Sequence, residues 1–180
     1  TINQGKWVTQ TVDARGNTGS YTSLACADNG TVHIAYHDIK NRALKYTTNA
    51  TGSWVSETVD APGNPIHNIS LAVDASGRAH ISYYNTSDLK YATNTSGSWQ
   101  TVMVDYPGNV GDYSSLALDG QSHAYISYYE WSNTHFGRLK FATNKSGSWE
   151  IQVVDDTSDD VGGYTSMKLD SKGAAHLACC

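Results

Sequence analysis

The chain has little with which to grip a polyanion. Lysine and arginine total 12 against 17 acidic residues, leaving a net charge of −5 over 180 residues. With no basic stripe to displace counterions, a nucleic-acid partner is excluded. No stretch approaches the roughly 18 consecutive apolar residues of a membrane-spanning helix, and the N-terminus TINQGKWVTQ lacks the charged and apolar regions of a signal peptide. Cysteine is scarce and odd in number. Cys26, Cys179 and Cys180 include no C-x-x-C spacing, which removes a zinc knuckle and a dithiol redox centre. Cys26 reads as a small buried hydrophobe, while a Cys179–Cys180 or intermolecular bridge is allowed without being required.

What the chain does have is tyrosine (12), tryptophan (5) and glycine (16), among many Ser, Thr and Asn residues. That composition reads as β-structure rich in turns, and 180 residues suit one domain, 1–180. Four tryptophans, Trp7, Trp54, Trp99 and Trp149, open four similar units, 7–53, 54–98, 99–148 and 149–180. After each comes an alternating run ending in Val-Asp: WVTQTVD (7–13), WVSETVD (54–60), WQTVMVD (99–105) and WEIQVVD (149–155). A Gly/Pro/Asn loop leads to a first strand at SLACA (23–27), SLAVD (70–74), SLALD (115–119) or SMKLD (166–170). The second strand follows as TVHIAYHD, AHISYYN, AYISYYE or AHLACC, and the third as LKY or LKF. The Val-Asp run is then the fourth strand.

Side chains of AHISYYN alternate between two faces, as a strand requires. Four short antiparallel strands per unit at a period of about 45 residues is the signature of a β-propeller blade. The expected fold is therefore an all-β propeller of four-stranded antiparallel blades, with about four units and the last one incomplete. The fourth unit stops at AHLACC, before its LKY strand. Either further blades complete the ring or a second copy does so by strand addition, giving a dimer or filament. The run 7–13 reads as a fourth strand that could join that unfinished blade in a four-bladed ring, but a piece of a six- to eight-bladed ring is the preferred expectation.

The pattern SLALD-x-x-G…H-I-S-Y-Y…LKYATN-x-SGSW resembles the BNR, or Asp-box, repeat propellers related to bacterial sialidases. TNATGSW (48–54), TNTSGSW (93–99) and TNKSGSW (143–149) stand where that family carries its box, between third and fourth strands. They carry Asn in place of the box Asp and are one residue shorter before Trp. The resemblance implies a propeller fold, with the box on the face away from the usual active site. It also implies what a sialidase would show: three arginines for the substrate carboxylate and a Tyr/Glu pair. Here Arg15, Arg42, Arg78 and Arg138 are all the arginines, no F/Y-R-I-P motif occurs, and no Tyr/Glu constellation stands beside them. Sialidase activity is not expected.

His33, His80 and His176 recur at one strand position, with Tyr125 in the third unit. Repetition there points to packing, because a catalytic residue differs from blade to blade. The divergent loops between second and third strands are the better place to look: HDIKNRA (37–43), NTSD (85–88) and EWSNTHFGR (130–138). Sugars are held by an aromatic face and a few fixed polar groups. Trp131 with Glu130, His135 and Arg138 is a candidate glycan contact, and His37, Asp38 and Arg42 lie in the equivalent loop. The alternative for Trp131 is packing on a neighbouring blade. The D-x-x-G-N turns read as backbone geometry with Asp capping nearby amides. Asp155, Asp156, Asp159 and Asp160 are the only candidate for calcium, in a spacing that matches no known cage; otherwise no cofactor is expected.

Sequons at Asn29, Asn49, Asn68, Asn85, Asn94 and Asn144 arise readily by chance in so Ser-, Thr- and Asn-rich a chain, and nothing here resists an extracellular setting. The leading function is a non-catalytic, extracellular glycan-binding or adhesion module. The competing ones are a propeller polysaccharide lyase or glycosidase, and a self-assembling structural protein.

Overall fold

The computed structural model describes residues 2–3, 5–131, 137–157 and 160–180, and every regular element among them is a strand. β1 (Ile2–Asn3) and β2 (Lys6–Trp7) form a small hairpin. Three four-stranded sheets follow, each ordered as the chain runs. The first is β3 (Thr18–Cys26), β4 (Val32–Asp38), β5 (Ala43–Thr48) and β6 (Val55–Asp60). The second is β7 (Ile66–Val73), β8 (Ala79–Asn85), β9 (Asp88–Thr93) and β10 (Gln100–Asp105). The third is β11 (Asn109–Leu118), β12 (Ala124–Trp131), β13 (Arg138–Thr143) and β14 (Glu150–Asp155). A two-stranded sheet, β15 (Ser166–Leu169) and β16 (Ala175–Ala178), comes last.

All neighbouring strands are antiparallel, as the repeat implies. Two expectations are corrected. The run 7–13 is not a strand beyond Trp7, and among the described residues β15 and β16 pair only with each other. The reason is visible in the intact units: each fourth strand pairs along an LKY or LKF strand, as β6 does with β5. The run 7–13 has no such strand beside it. The first strands also begin earlier than SLACA and its counterparts, at Thr18, Ile66 and Asn109.

The apolar core lies between sheets. One cluster joins Leu44 and Val59 of the first sheet to Ile66, Leu71 and Ile81 of the second. Another joins Leu89 and Val104 of the second to Val110, Leu116 and Ile126 of the third. Successive first strands pack side by side, and a serine ties each to the next. Ser23 Oγ accepts the Leu71 N–H, Ser70 Oγ that of Leu116, and Ser115 Oγ that of Met167, each at 3.0 Å. Leu71, Leu116 and Met167 are buried, whereas Leu24, on the uncovered side of β3, is 60% exposed. Cys26 shares that face and is exposed, contrary to the sequence reading.

Carboxylates at the ends of fourth strands reach across the same junctions. Asp60 Oδ2 accepts from Tyr83 Oη (2.6 Å) and pairs with Lys90 Nζ (2.5 Å). Asp105 Oδ2 does the same with Tyr128 (2.7 Å) and Lys140 (2.5 Å). Asp13, though outside any strand, accepts from Tyr36 at 2.6 Å. The tryptophans add a third tie: Trp99 meets Tyr46 edge-on at 5.1 Å, and Trp149 meets Tyr91 in the same way. Trp7 is 78% exposed and takes no such place.

The phrase TN-x-SGSW is structural. Asn49, Asn94 and Asn144 accept, through Oδ1, the backbone N–H of Val32, Ala79 and Ala124, stitching third to second strand. His33 and His80 are buried and bonded through Nδ1 to Tyr46 and Tyr91 at 2.5 Å, in keeping with a packing role. His176 is exposed, with no third strand beside it.

Trp99 also donates from Nε1 to Glu57 at 2.8 Å. Trp99→Ala is expected to lower the unfolding free energy by about 2 kcal/mol, and Trp7→Ala by less than about 0.5 kcal/mol. Urea denaturation of both variants checks this; equal losses would show that the Trp99–Tyr46 contact does not join the sheets.

Candidate functional site

The first strands enter their sheets through a bulge. Register slips between Ser20 and Ser23, between His67 and Ser70, and between Asp112 and Ser115. At the same point in each sheet one residue is left-handed: Tyr21 (φ 52°), Asn68 (φ 48°), Tyr113 (φ 52°) and Tyr164 (φ 50°). Such a backbone costs a bulky residue about 1–2 kcal/mol, and three of the four positions carry tyrosine. The bulge lifts each side chain out of the pleat. Two residues before Tyr113 and Tyr164, the absence of a side chain is obligatory. A Cβ on Gly111 would lie 2.7 Å from Leu89 Cα, and one on Gly162 2.7 Å from Leu139 Cα.

These tyrosines frame two adjoining cavities at one end of the first strands. The larger, about 360 Å³, is lined by Tyr21, His67, Asn68, Tyr84, Asp112 and Tyr113. The other, about 340 Å³, has Tyr113, Tyr129, Trp131, Asp160 and Tyr164 around it, with Asn109 and Asp112 at its edge. Tyr21 meets His67 edge-on at 4.7 Å, and Tyr113 lies 4.3 Å from Tyr164 and 6.0 Å from Tyr129. Polar groups are held in place: Tyr84 donates to Asn109 Oδ1 (2.6 Å), and Tyr129 to Asp160 Oδ1 (2.7 Å). The Asn68 amide donates to Asp112. Fixed acceptors between exposed aromatic faces are what a sugar-binding surface requires.

A third cavity, about 490 Å³, lies at the opposite end, among the turns between first and second strands. No aromatic side chain lines it, and Asp74 and Asp119 there are bonded to their own turns.

Of the residues nominated from sequence as glycan contacts, Trp131 reaches a cavity wall, and of the calcium candidates Asp160 does. Glu130 and Arg138 face each other across β12 and β13, 2.8 Å apart. Strand alternation puts Glu130 on the face opposite Trp131. Asp38 accepts from the Asn41 backbone and side chain, and Arg42 donates to the Gly63 carbonyl; both serve turns. His37 is buried behind His67, their rings 6.4 Å apart, and neither ring nitrogen has a hydrogen-bond partner among the described residues. Burial pushes its pKa down. His135 and Asp159 lie outside the described residues. Asp155 accepts from the Thr157 N–H, while Asp160 turns to Tyr129 and Gly137. Among the described residues, no group of three or more His, Cys, Asp or Glu is arranged to hold a metal.

Tyr21, Tyr113, Tyr164, His67 and Asp112 escaped the sequence reading because their segments looked like loops. A signal was present: GSY (19–21), GDY (111–113) and GGY (162–164) each end two residues before the serine of the first strand.

Two carboxyl groups of the fold titrate in opposite senses. Burial pushes Asp112 above its ordinary value, against the bonds from Tyr113 N–H and Asn68. For Asp60 burial acts in the same direction, but the bonds from Lys90 and Tyr83 outweigh it and hold the group below. Asp60 thus contributes stability above the unfolded carboxylate pKa and loses it as the pH falls through the folded one. Asp112 favours the folded state below the unfolded pKa, and that contribution is lost as pH rises through the folded value. Asp112→Asn is accordingly expected to raise stability at pH 7, with the gain shrinking toward pH 3. Asp60→Asn should destabilise at pH 7, and by less at pH 3. Denaturation at both pH values checks the signs, and a pH-independent effect of Asp112→Asn would contradict the role of burial.

No family model matches the chain, and no curated protein matches it. Solved structures do. A protein of unknown function from Dyadobacter fermentans superposes with a TM-score of 0.63 at 12% identity, over 89% of this chain and 62% of that one. The endo-arabinase of Bacteroides thetaiotaomicron gives 0.53 at 13% identity, over 88% of this chain and 68% of its own. A Hadza microbial sialidase gives 0.57 at 10% identity, covering 89% of this chain and 44% of the sialidase. The chain thus spans 62% of the length of the first of these proteins. At such identities the likeness is one of fold: the sheets are arranged as in the sialidase- and arabinase-type β-propellers.

Proposed function

We propose that the chain is a carbohydrate-binding β-propeller module, acting outside the cell, that holds a glycan without cleaving it. The observation that carries this is the cavity walled by Trp131, Tyr113, Tyr129 and Tyr164, with fixed acceptors between the rings. Trp131 and Tyr164 are 51% and 72% exposed. Large exposed aromatics beside a cavity are costly to leave in water unless a ligand covers them. Sugar C–H faces suit such rings, and their hydroxyls suit Asp160, Asp112 and Asn109 as acceptors.

A glycosidase reading has one observation in its favour. The same cavity presents two carboxyl groups, Asp112 and Asp160, and burial raises the first. Two carboxyl groups flanking the scissile bond are what glycoside hydrolysis uses. Binding is favoured because both groups are already committed, Asp112 to Asn68 and Asp160 to Tyr129 and Gly137.

Self-assembly rests on a different observation, the uncovered face of β3 around Leu24. Every other junction buries the equivalent residue, so a further sheet of the same repeat fits there, from a second copy or from additional blades.

Isothermal titration against a panel of soluble glycans is expected to find a ligand that Trp131→Ala weakens at least about tenfold, with an unchanged melting temperature. Loss of binding together with stability would return Trp131 to a packing role. Release of reducing ends, abolished in Asp112→Asn and Asp160→Asn, would replace the binding reading by hydrolysis. For assembly, light scattering at micromolar concentration is expected to show a defined multimer that Leu24→Lys dissociates; a monomer throughout would eliminate a second copy as the covering sheet.

A further inference from the structure

Resting on the carbohydrate-binding reading, we infer that the two tyrosine-framed cavities form one groove, which takes a neutral oligosaccharide across at least two sugar rings and rejects acidic ones.

Continuity is the first argument. Asp112 and Tyr113 line both cavities, so one side chain is the far wall of the first and the near wall of the second. The frames are equivalent by the repeat. Tyr21 and Tyr113 flank the first cavity, Tyr113 and Tyr164 the second, each left-handed where the chain enters its sheet. Tyr84 and Tyr129 likewise occupy one position of the second strand, opposite Leu89 and Leu139 of their third strands. A groove that repeats from sheet to sheet is matched by a ligand that repeats from ring to ring.

Charge is the second. Among the described residues, no lysine or arginine lines either cavity. Lys90 and Lys140, which point to the same junctions, are held by Asp60 and Asp105. Asp112 and Asp160 are acidic, so a uronate, sialate or sulfate would face like charge with no counter-ion. Neutral hydroxyls meet acceptors instead. Once one ring is seated, the next binds from a high effective concentration, so affinity climbs with chain length.

The test uses neutral cello-, xylo-, arabino- and manno-oligosaccharides of one to six rings, with galacturono-oligosaccharides as the acidic set. Titration calorimetry on the whole chain is expected to show at least about a tenfold gain from the monosaccharide to longer oligomers of one neutral series. Tyr21→Ala touches only the first cavity and is half exposed. It should erase that gain, whereas Tyr164→Ala should weaken every length. Thermal melts of both variants confirm folding, and His67→Ala replaces Tyr21→Ala if the latter melts early. Length-independent binding, or a gain that survives loss of Tyr21 or His67, overturns the continuous groove but leaves the carbohydrate reading intact. Equal affinity for galacturonate oligomers overturns the charge argument. Absence of binding to every neutral and acidic sugar at millimolar concentration sinks the carbohydrate reading itself, and this inference with it.

Discussion

A carboxylate at the end of β6 and of β10, reaching across to a tyrosine and a lysine of the next sheet, holds the rest of this structure in place. Asp60 and Asp105 each accept two bonds from the neighbouring sheet in a largely dry setting. Breaking such a pair strands a buried cation and a buried hydroxyl, which costs about 3 kcal/mol or more. Apolar packing alone is non-directional and would let the sheets slide. The serine that binds the next sheet's backbone amide and the tryptophan seated on the previous sheet's tyrosine complete the alignment.

That alignment creates the candidate site. Neither cavity belongs to a single sheet: the first takes side chains from three, and Tyr113 becomes a shared wall only because its sheet is locked to both neighbours. Gly111 and Gly162 let the backbone press against the preceding third strand, and the left-handed residue beyond each is the tyrosine that lines a cavity. The strain of the left-handed tyrosines is tolerated because the junction around them over-determines the backbone.

The groove differs in character from the site that the BNR resemblance implies. A sialidase grips a carboxylate with arginines. Here Arg42 is spent on a carbonyl, Arg138 on Glu130 and Arg15 on Asp13, and none lines a cavity. The shared fold supplies a frame, and the residues that differ from unit to unit set what the frame holds. His37, Tyr84 and Tyr129 stand at one strand position, as do Ser20, His67 and Asp112 at another, and these substitutions make neighbouring junctions unlike.

The four-stranded units, their order, the turn at TN-x-SGSW and the packing role of His33 and His80 were legible in the sequence. Each is a local matter of period-two alternation, turn chemistry and repetition, and local physics survives in a linear string. Trp131 was singled out as an aromatic in a divergent loop, and it stands at the end of β12 on a cavity wall. Glu130 and Arg138, named with it from sequence, pair with each other, since adjacent residues of a strand lie on opposite faces. Asp60 read as a turn cap, since its partners Tyr83 and Lys90 lie on the next sheet. The groove was invisible for the same reason. Tyr21, His67 and Tyr113 are about 45 residues apart in the chain and meet only when three sheets are set side by side. Sequence determined what each sheet is; the junctions, held by buried charge and packing, decided which side chains face one another.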